Sequence, residues 1–142
     1  MDALYTTSAT SSNGRAGFSE LGDGSFSTQL VVPRELGGSG DQKGLNPEQL
    51  FAMGYSACFG SALEFMAEKN GIDISNFNVT AEVTLGRTNE GKFEIAVILD
   101  VYIPGISSQT GEQLINEAHE MCPYSRAVED NINVDLNLLV EE

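Results

Sequence analysis

The stretch Asn46-Pro47-Glu48-Gln49, continuing as Leu50-Phe51-Ala52-Met53-Gly54-Tyr55-Ser56-Ala57-Cys58-Phe59-Gly60-Ser61-Ala62-Leu63, decides how the chain is read. Its first four residues are a helix start. Asn stands as N-cap, Pro takes the first helical position where a missing N–H costs nothing, and Gln follows three residues after the cap to close a capping box. The fourteen residues from Leu50 to Leu63 carry no charge. They put apolar or small side chains on every side of the helix, and a helix that is apolar all round is buried on all sides. This predicts the central core helix of the fold. The uncharged run is shorter than the roughly 20 apolar residues that a bilayer requires, so no membrane span is expected. The helix ends at Glu68-Lys69-Asn70-Gly71, where Lys69 suits the negative end of the dipole and Asn70-Gly71 tolerates a left-handed cap.

Downstream, Phe77, Val79, Ala81, Val83 and Leu85 alternate with polar residues, and Phe93, Ile95, Val97, Leu99, Val101 and Ile103 repeat the pattern. These predict two half-buried strands joined antiparallel through Gly86 to Gly91, with Pro104-Gly105 ending the second. Ser107 or Ser108 can cap a second helix whose stripe of Leu114, Ile115, Ala118, Met121 and Cys122 runs to Pro123, placing Cys122 on the buried face of its last turn. Ile132, Val134, Leu136 and Leu138 predict a final strand. Upstream, Leu4 to Thr10 and Phe26 to Val32 carry weaker strand signals with Gly-rich turns between them. Glu35 to Asn46, with four Gly, reads as a long loop that could close over a site. The element order βββ-α-ββ-α-β predicts an α+β fold, with helices packed on antiparallel sheet.

The 142 residues, 41% hydrophobic, support one domain over 1–142. Seven Lys plus Arg against 21 Asp plus Glu give a formal charge of −14, which removes the counterion-release attraction behind phosphate-backbone binding. Neither nucleic acid nor an anionic membrane surface is an expected partner. The start, MDALYTTSATSSNG, has no basic or apolar leader region, and a cytoplasmic location is expected. Cys58 and Cys122 are 64 positions apart, which suits neither a disulfide-dense scaffold nor a CxxC redox pair.

A thiol in mid-helix gets no help from the helix N-terminus, so a reactive Cys58 needs a cation brought from elsewhere; otherwise it is an inert small hydrophobe. Arg15, Arg34, Arg87 and Arg126 are the arginines, and periodicity does not choose among them. Glu48, in the first turn, is favoured by the dipole and needs no further role to be there. Ten residues of helix separate it from Cys58 by on the order of 15 Å, so the two cannot touch within one helix. If they share a site, either the Gly-rich start bends around or a second copy of the chain contributes. His119 with two distant cysteines has no metal-ligand spacing. Ser56 and Ser61 lack a nucleophile-elbow context, and GGSGDQKG lacks a phosphate-loop pattern.

Taken together, GR-x-G at Gly14 to Gly17, ELGGSG at Glu35 to Gly40, NPEQLFAMGYSACF at Asn46 to Phe59 and AHEMCPYS at Ala118 to Ser125 resemble the organic hydroperoxide resistance proteins, within the wider family of osmotically inducible protein C. The resemblance covers nearly the whole chain. It implies an OsmC-like fold, with antiparallel sheets wrapped around two central helices in an intertwined homodimer whose active sites lie at the subunit interface. It also implies a thiol peroxidase that reduces organic hydroperoxides to alcohols. Residue by residue, Cys58 matches the peroxidatic cysteine, Cys122 the resolving one, Arg15 the arginine that pairs with the reactive thiolate, and Glu48 the carboxylate that holds that arginine. Ala16 stands where the family turn often carries an acid.

By that resemblance the cycle passes through a Cys58 sulfenic acid and a Cys58–Cys122 disulfide, with no bound cofactor or metal. The external reductant is dihydrolipoamide or a lipoylated protein. Phe51, Tyr55, Phe59 and Met66 surround Cys58 in sequence and are candidates for an apolar pocket preferring fatty-acid or aryl hydroperoxides, although for any one of them an ordinary core position is the better reading. Two competing readings stay open. One is a relative with broader peroxide preference, and the other a ligand- or lipid-binding dimer in which both cysteines are merely buried.

Overall fold

In the computed structural model residues 1–40 and 43–140 are described, and they fall into two compact units, Met1–Leu50 and Phe51–Glu142. In the first, β1 (Ala9–Ser12), β2 (Phe18–Leu21) and β3 (Ser27–Gln29) form an antiparallel sheet in that order. The β1–β2 connection turns on Asn13 at φ 61° and Gly14 at φ 59°, both left-handed, and Asn-Gly is the pair that accepts this geometry most cheaply. A 3-10 turn over Gly14–Ala16 follows. Gly17 closes the connection under a harder constraint: a Cβ there would sit 1.6 Å from the carbonyl oxygen of Ser12, so only glycine fits. These strands are shorter than the runs expected at Leu4 to Thr10 and Phe26 to Val32. Residues 1–8 lie outside regular structure, and Leu4 and Tyr5 are almost fully exposed. The expected loop from Glu35 to Asn46 contains Asp41 and Gln42, which lie outside the described residues; Leu45 bridges Leu30 in parallel.

Helix α1 (Pro47–Lys69) has the ends its sequence predicts. The Asn46 N–H donates to Gln49 Oε1 at 3.0 Å and the Gln49 N–H donates to Asn46 Oδ1 at 2.8 Å, a reciprocated capping box. At the far end Gly71 is left-handed, the Ile72 N–H reaches the Ala67 carbonyl, and the Gly71 N–H reaches that of Glu68, which is a Schellman closure.

In the second unit β4 (Asn78–Arg87) and β5 (Phe93–Tyr102) form the expected antiparallel hairpin, with Val97, Leu99 and Val101 fully buried on one face of β5. Helix α2 (Ser108–Met121) is capped by Ser107, whose hydroxyl accepts from the Thr110 N–H. A short helix α3 (Pro123–Val128) follows, and β6 (Val134–Leu139) completes the sheet in the order β4-β5-β6. The core joins Tyr55, Phe59, Leu63 and Met66 of α1 to the buried β5 residues and to Leu114, Ile115, Ala118 and Cys122.

Three expectations need correction. The second sheet is mixed, because β6 pairs with β5 in parallel. A parallel neighbour needs a long crossover, and α2 and α3 provide it. Second, the expected element order lacks a helix: Pro123 follows the end of α2, as its sequence predicts, and opens α3 at N1, the position a proline tolerates. Third, α1 is covered on one side only in the single chain. Met53 and Phe65 are 59% and 53% exposed, and Ala57 and Ser61 between them are exposed too, forming one face at i, i+4, i+8 and i+12. By length and composition alone the 23-residue α1 could cross a membrane, but its other face forms the core of the second unit.

Candidate active site

Cys58 and Cys122, 64 residues apart, meet in the second unit with their Sγ atoms 3.5 Å apart and Cys122 as donor. Both are free thiols; Cys58 is half-buried and Cys122 has no exposed surface. The backbone explains where Cys122 lies. It leaves the helical region at φ −64°, ψ 120°, while its N–H still bonds to the Ala118 carbonyl and its own carbonyl receives the Arg126 N–H. It is therefore the joint between α2 and α3, closing one and capping the other, and this fixes its side chain against α1. A disulfide needs about 2.05 Å between sulfurs, so the pair must close by roughly 1.5 Å, a side-chain adjustment. The exposure of the two is unequal: Cys58 is within reach of a solute, and Cys122 is enclosed with its sulfur beside that of Cys58.

Within this unit, burial pushes the Cys58 thiol above its usual value of 9.0, the backbone N–H of Tyr124 works against that, and the neighbouring Cys122 adds to the rise. None of these influences is a cation. The Tyr124 ring lies over Gly54, one turn before Cys58, where a Cβ would come within 2.8 Å of its hydroxyl. The same ring packs against Phe51 and Tyr55 at centroid distances of 5.9 and 5.8 Å.

In the first unit Arg15 and Glu48 form a two-bond pair. Arg15 Nη1 donates to Glu48 Oε2 at 2.8 Å, and Nη2 donates to Oε1 at 2.5 Å. The planar guanidinium matches the carboxylate in this fork, which orients the cation as well as holding it. The pairing raises the Arg15 pKa and holds the Glu48 carboxyl below its usual value, burial opposing both shifts. Arg87, by contrast, lies over the Phe93 ring, 4.8 Å from its centroid. The Gly14–Gly17 turn carries Arg15, so the glycine spacing that stands out in the sequence is the backbone that presents the guanidinium.

Of the candidate pocket residues, Tyr55 and Phe59 are fully buried and Met66 nearly so, all in the core, while Phe51 is half-buried against Tyr55 and Tyr124. Three features escaped the sequence reading. Ser125 is buried and bonded to both Tyr55 and His119, Tyr124 turns its backbone N–H to Cys58, and Gly54 makes room for the Tyr124 ring. The available signal was spacing: Ser125 follows Cys122 by three residues, and His119 precedes it by three. Among the described residues no group of three His, Cys, Asp or Glu side chains is placed to hold a metal ion.

Residues 40–137 match the family of OsmC-like proteins. The organic hydroperoxide resistance protein OhrB of Bacillus subtilis is 40% identical over 137 residues, covering 96% of this chain and 98% of that one. The organic hydroperoxide resistance protein of Xanthomonas axonopodis pv. citri is 40% identical over 136 residues, covering 95% and 94%. Among solved structures, an organic hydroperoxide resistance protein from Legionella pneumophila superimposes with a TM-score of 0.92 at 43% identity, covering 98% of this chain and all of the other. A thiol pair on a shared fold, matched in sequence from near one end to the other, makes this chain a member of the OsmC-like family, in the company of the organic hydroperoxide resistance proteins.

Proposed function

We propose that this protein is a thiol peroxidase that reduces organic hydroperoxides to alcohols. The observation that carries the reading is the pair of free thiols 3.5 Å apart, one accessible and one buried. The Cys58 thiolate attacks the terminal oxygen of R–O–OH, the O–O bond breaks, and the departing alkoxide takes a proton to leave as the alcohol. Cys58 becomes a sulfenic acid. The Cys122 sulfur then attacks the Cys58 sulfur, and the hydroxyl leaves with the Cys122 proton as water. An external dithiol, dihydrolipoamide or a lipoyl group on a protein, exchanges with the disulfide and returns both thiols. A reducing cytoplasm suits that cycle.

Because burial opposes ionisation of Cys58, the thiolate needs a cation, and Arg15 is assigned that part, with Glu48 as the group that orients it. The assembly is a homodimer: the bare face of α1 at Met53, Ala57, Ser61 and Phe65, and the exposed Leu4 and Tyr5, are what a second copy covers. Phe51, beside Tyr55 and Tyr124, supplies an apolar wall for the organic group of the substrate. Turnover is tested with dihydrolipoamide as reductant and cumene, fatty-acid or hydrogen peroxide as oxidant. Cys58→Ser should abolish it, and Cys122→Ser should oxidise once and stop at a trappable sulfenic acid. Full turnover by Cys58→Ser would refute the mechanism.

A further inference from the structure

Ser125 is the one buried polar side chain among the described core residues, 2% exposed, and it joins three helices. Its hydroxyl lies 2.7 Å from the Tyr55 hydroxyl on α1 and 2.9 Å from His119 Nδ1 on α2, while Ser125 itself is in the first turn of α3. We propose that Tyr55, Ser125 and His119 form a hydrogen-bonded tie that holds the two thiol-bearing segments in register and speeds closure of the Cys58–Cys122 disulfide, without taking part in peroxide cleavage. The proposal rests on the redox reading of the two thiols given above.

The spacing supports it. Tyr55 precedes Cys58 by three residues on α1, His119 precedes Cys122 by three at the end of α2, and Ser125 follows Cys122 by three. Side chains three apart on a helix share a face, which puts Tyr55 on the side of α1 that carries Cys58, while His119 and Ser125 flank the non-helical joint at Cys122 at equal sequence distance. Packing alone does not call for these hydroxyls. A Phe and an Ala of similar shape would fill the space with no polar group to satisfy, and replacing both partners of a buried hydrogen bond in that way is close to neutral. What the polar version adds is direction: a hydrogen bond fixes relative orientation, where apolar surfaces can slide. Burial pushes the Tyr55 phenol upward and keeps it neutral, and the three groups pair with one another whichever partner of each pair donates. The backbone at Cys122 leaves helical geometry at ψ 120°, so the direction of the chain changes there between α2 and α3, and a tie across the joint helps set where the buried sulfur points.

The test separates closure from oxidation. Reduced full-length protein is mixed with cumene hydroperoxide, and hydroperoxide loss, dimedone-trapped Cys58 sulfenic acid and disulfide are followed in time. Ser125→Ala and His119→Leu should oxidise Cys58 within about twofold of the parent rate while closing the disulfide about tenfold or more slowly, as a misplacement on the order of 1 Å would cause. His119→Asn, which keeps a hydrogen-bonding group near the place of Nδ1, should recover most of the closure rate. Closure as fast as the parent's in Ser125→Ala and His119→Leu, an equal slowing of both steps, or no difference between His119→Asn and His119→Leu would overturn the tie.

A second measurement needs no peroxide: the effective concentration of the thiol pair at equilibrium with glutathione, which should fall about tenfold in the Tyr55→Phe/Ser125→Ala double variant, whose packing is preserved. A parent protein inert to hydroperoxide with this fall intact would remove the peroxidase reading and leave the tie standing. An unchanged effective concentration would remove the tie whatever the peroxide does.

Discussion

Replacing Glu48 by Gln preserves shape and one acceptor but turns the second carboxylate oxygen into an amide N–H2 that faces the guanidinium. Of the two bonds, at 2.8 and 2.5 Å, one is retained and one becomes a contact between donors. A hydrogen bond to a charged group contributes about 1.5–3 kcal/mol where it is shielded. Here the Glu48 side chain is 17% exposed but that of Arg15 is 35% exposed, so water already competes. The screened loss is about 1 kcal/mol, which lowers the share of correctly oriented guanidinium about fivefold.

If Arg15 prepares Cys58, the rate of Cys58 oxidation by cumene hydroperoxide, read by stopped flow, should fall by about that factor, and thermal stability should fall slightly. Acid behaviour adds a second signature. The Glu48 carboxyl is held below its usual value of 4.5, chiefly by the hydrogen bond from Arg15. A depressed carboxyl contributes stability that is complete above the unfolded value and is lost as pH falls through the lower folded one. The pair's share of stability should therefore persist down to about pH 4.5 and vanish below it, and Glu48→Gln should lack this acid limb. An oxidation rate and an acid profile identical to those of the parent would refute the assignment of Glu48 to the reactive thiol.

Gly17→Ala should disrupt the Arg15 turn outright, because its Cβ would lie 1.6 Å from a backbone oxygen that no rotamer change can move; a variant with parent stability and oxidation rate would contradict this. Leu63→Ala opens a cavity at a fully buried core position and should cost about 2–5 kcal/mol in denaturant unfolding, with a loss under about 0.5 kcal/mol arguing against the core as described. Phe65→Glu places a charge on the bare face of α1 and should convert a dimer to a monomer by sedimentation, whereas unchanged sedimentation would place the interface elsewhere.

The two ends of α1 were legible because capping is local. Asn46, Gln49, Asn70 and Gly71 act within a few residues of one another, and their hydrogen bonds follow from spacing alone. The β4–β5 hairpin was legible for the same reason, through alternation interrupted by a Gly-bounded turn. Direction was not, since alternation in β6 looks the same whether its neighbour runs parallel or antiparallel; the 31 residues between Tyr102 and Val134 were the available clue to a crossover. The all-round apolar character of α1 predicted burial on every side, whereas in the single chain only one side is covered and the face at Met53 and Phe65 is exposed.

At the site, resemblance singled out Arg15 and Glu48, and the structure adds why the glycines beside Arg15 are needed: left-handed backbone at Gly14 and no space at Gly17. Ser125 stayed hidden because a serine two residues past a proline reads as an exposed turn residue. Its burial depends on α3 folding back against α1, which periodicity does not encode.

The most direct test of the account is to treat the reduced protein with one equivalent of cumene hydroperoxide and determine, by intact mass and peptide mapping, what becomes of the two thiols. Rapid, stoichiometric loss of two hydrogens is expected, with Cys58 and Cys122 recovered as a linked peptide pair. Thiols left unreacted, or oxidation that never links them, would contradict it.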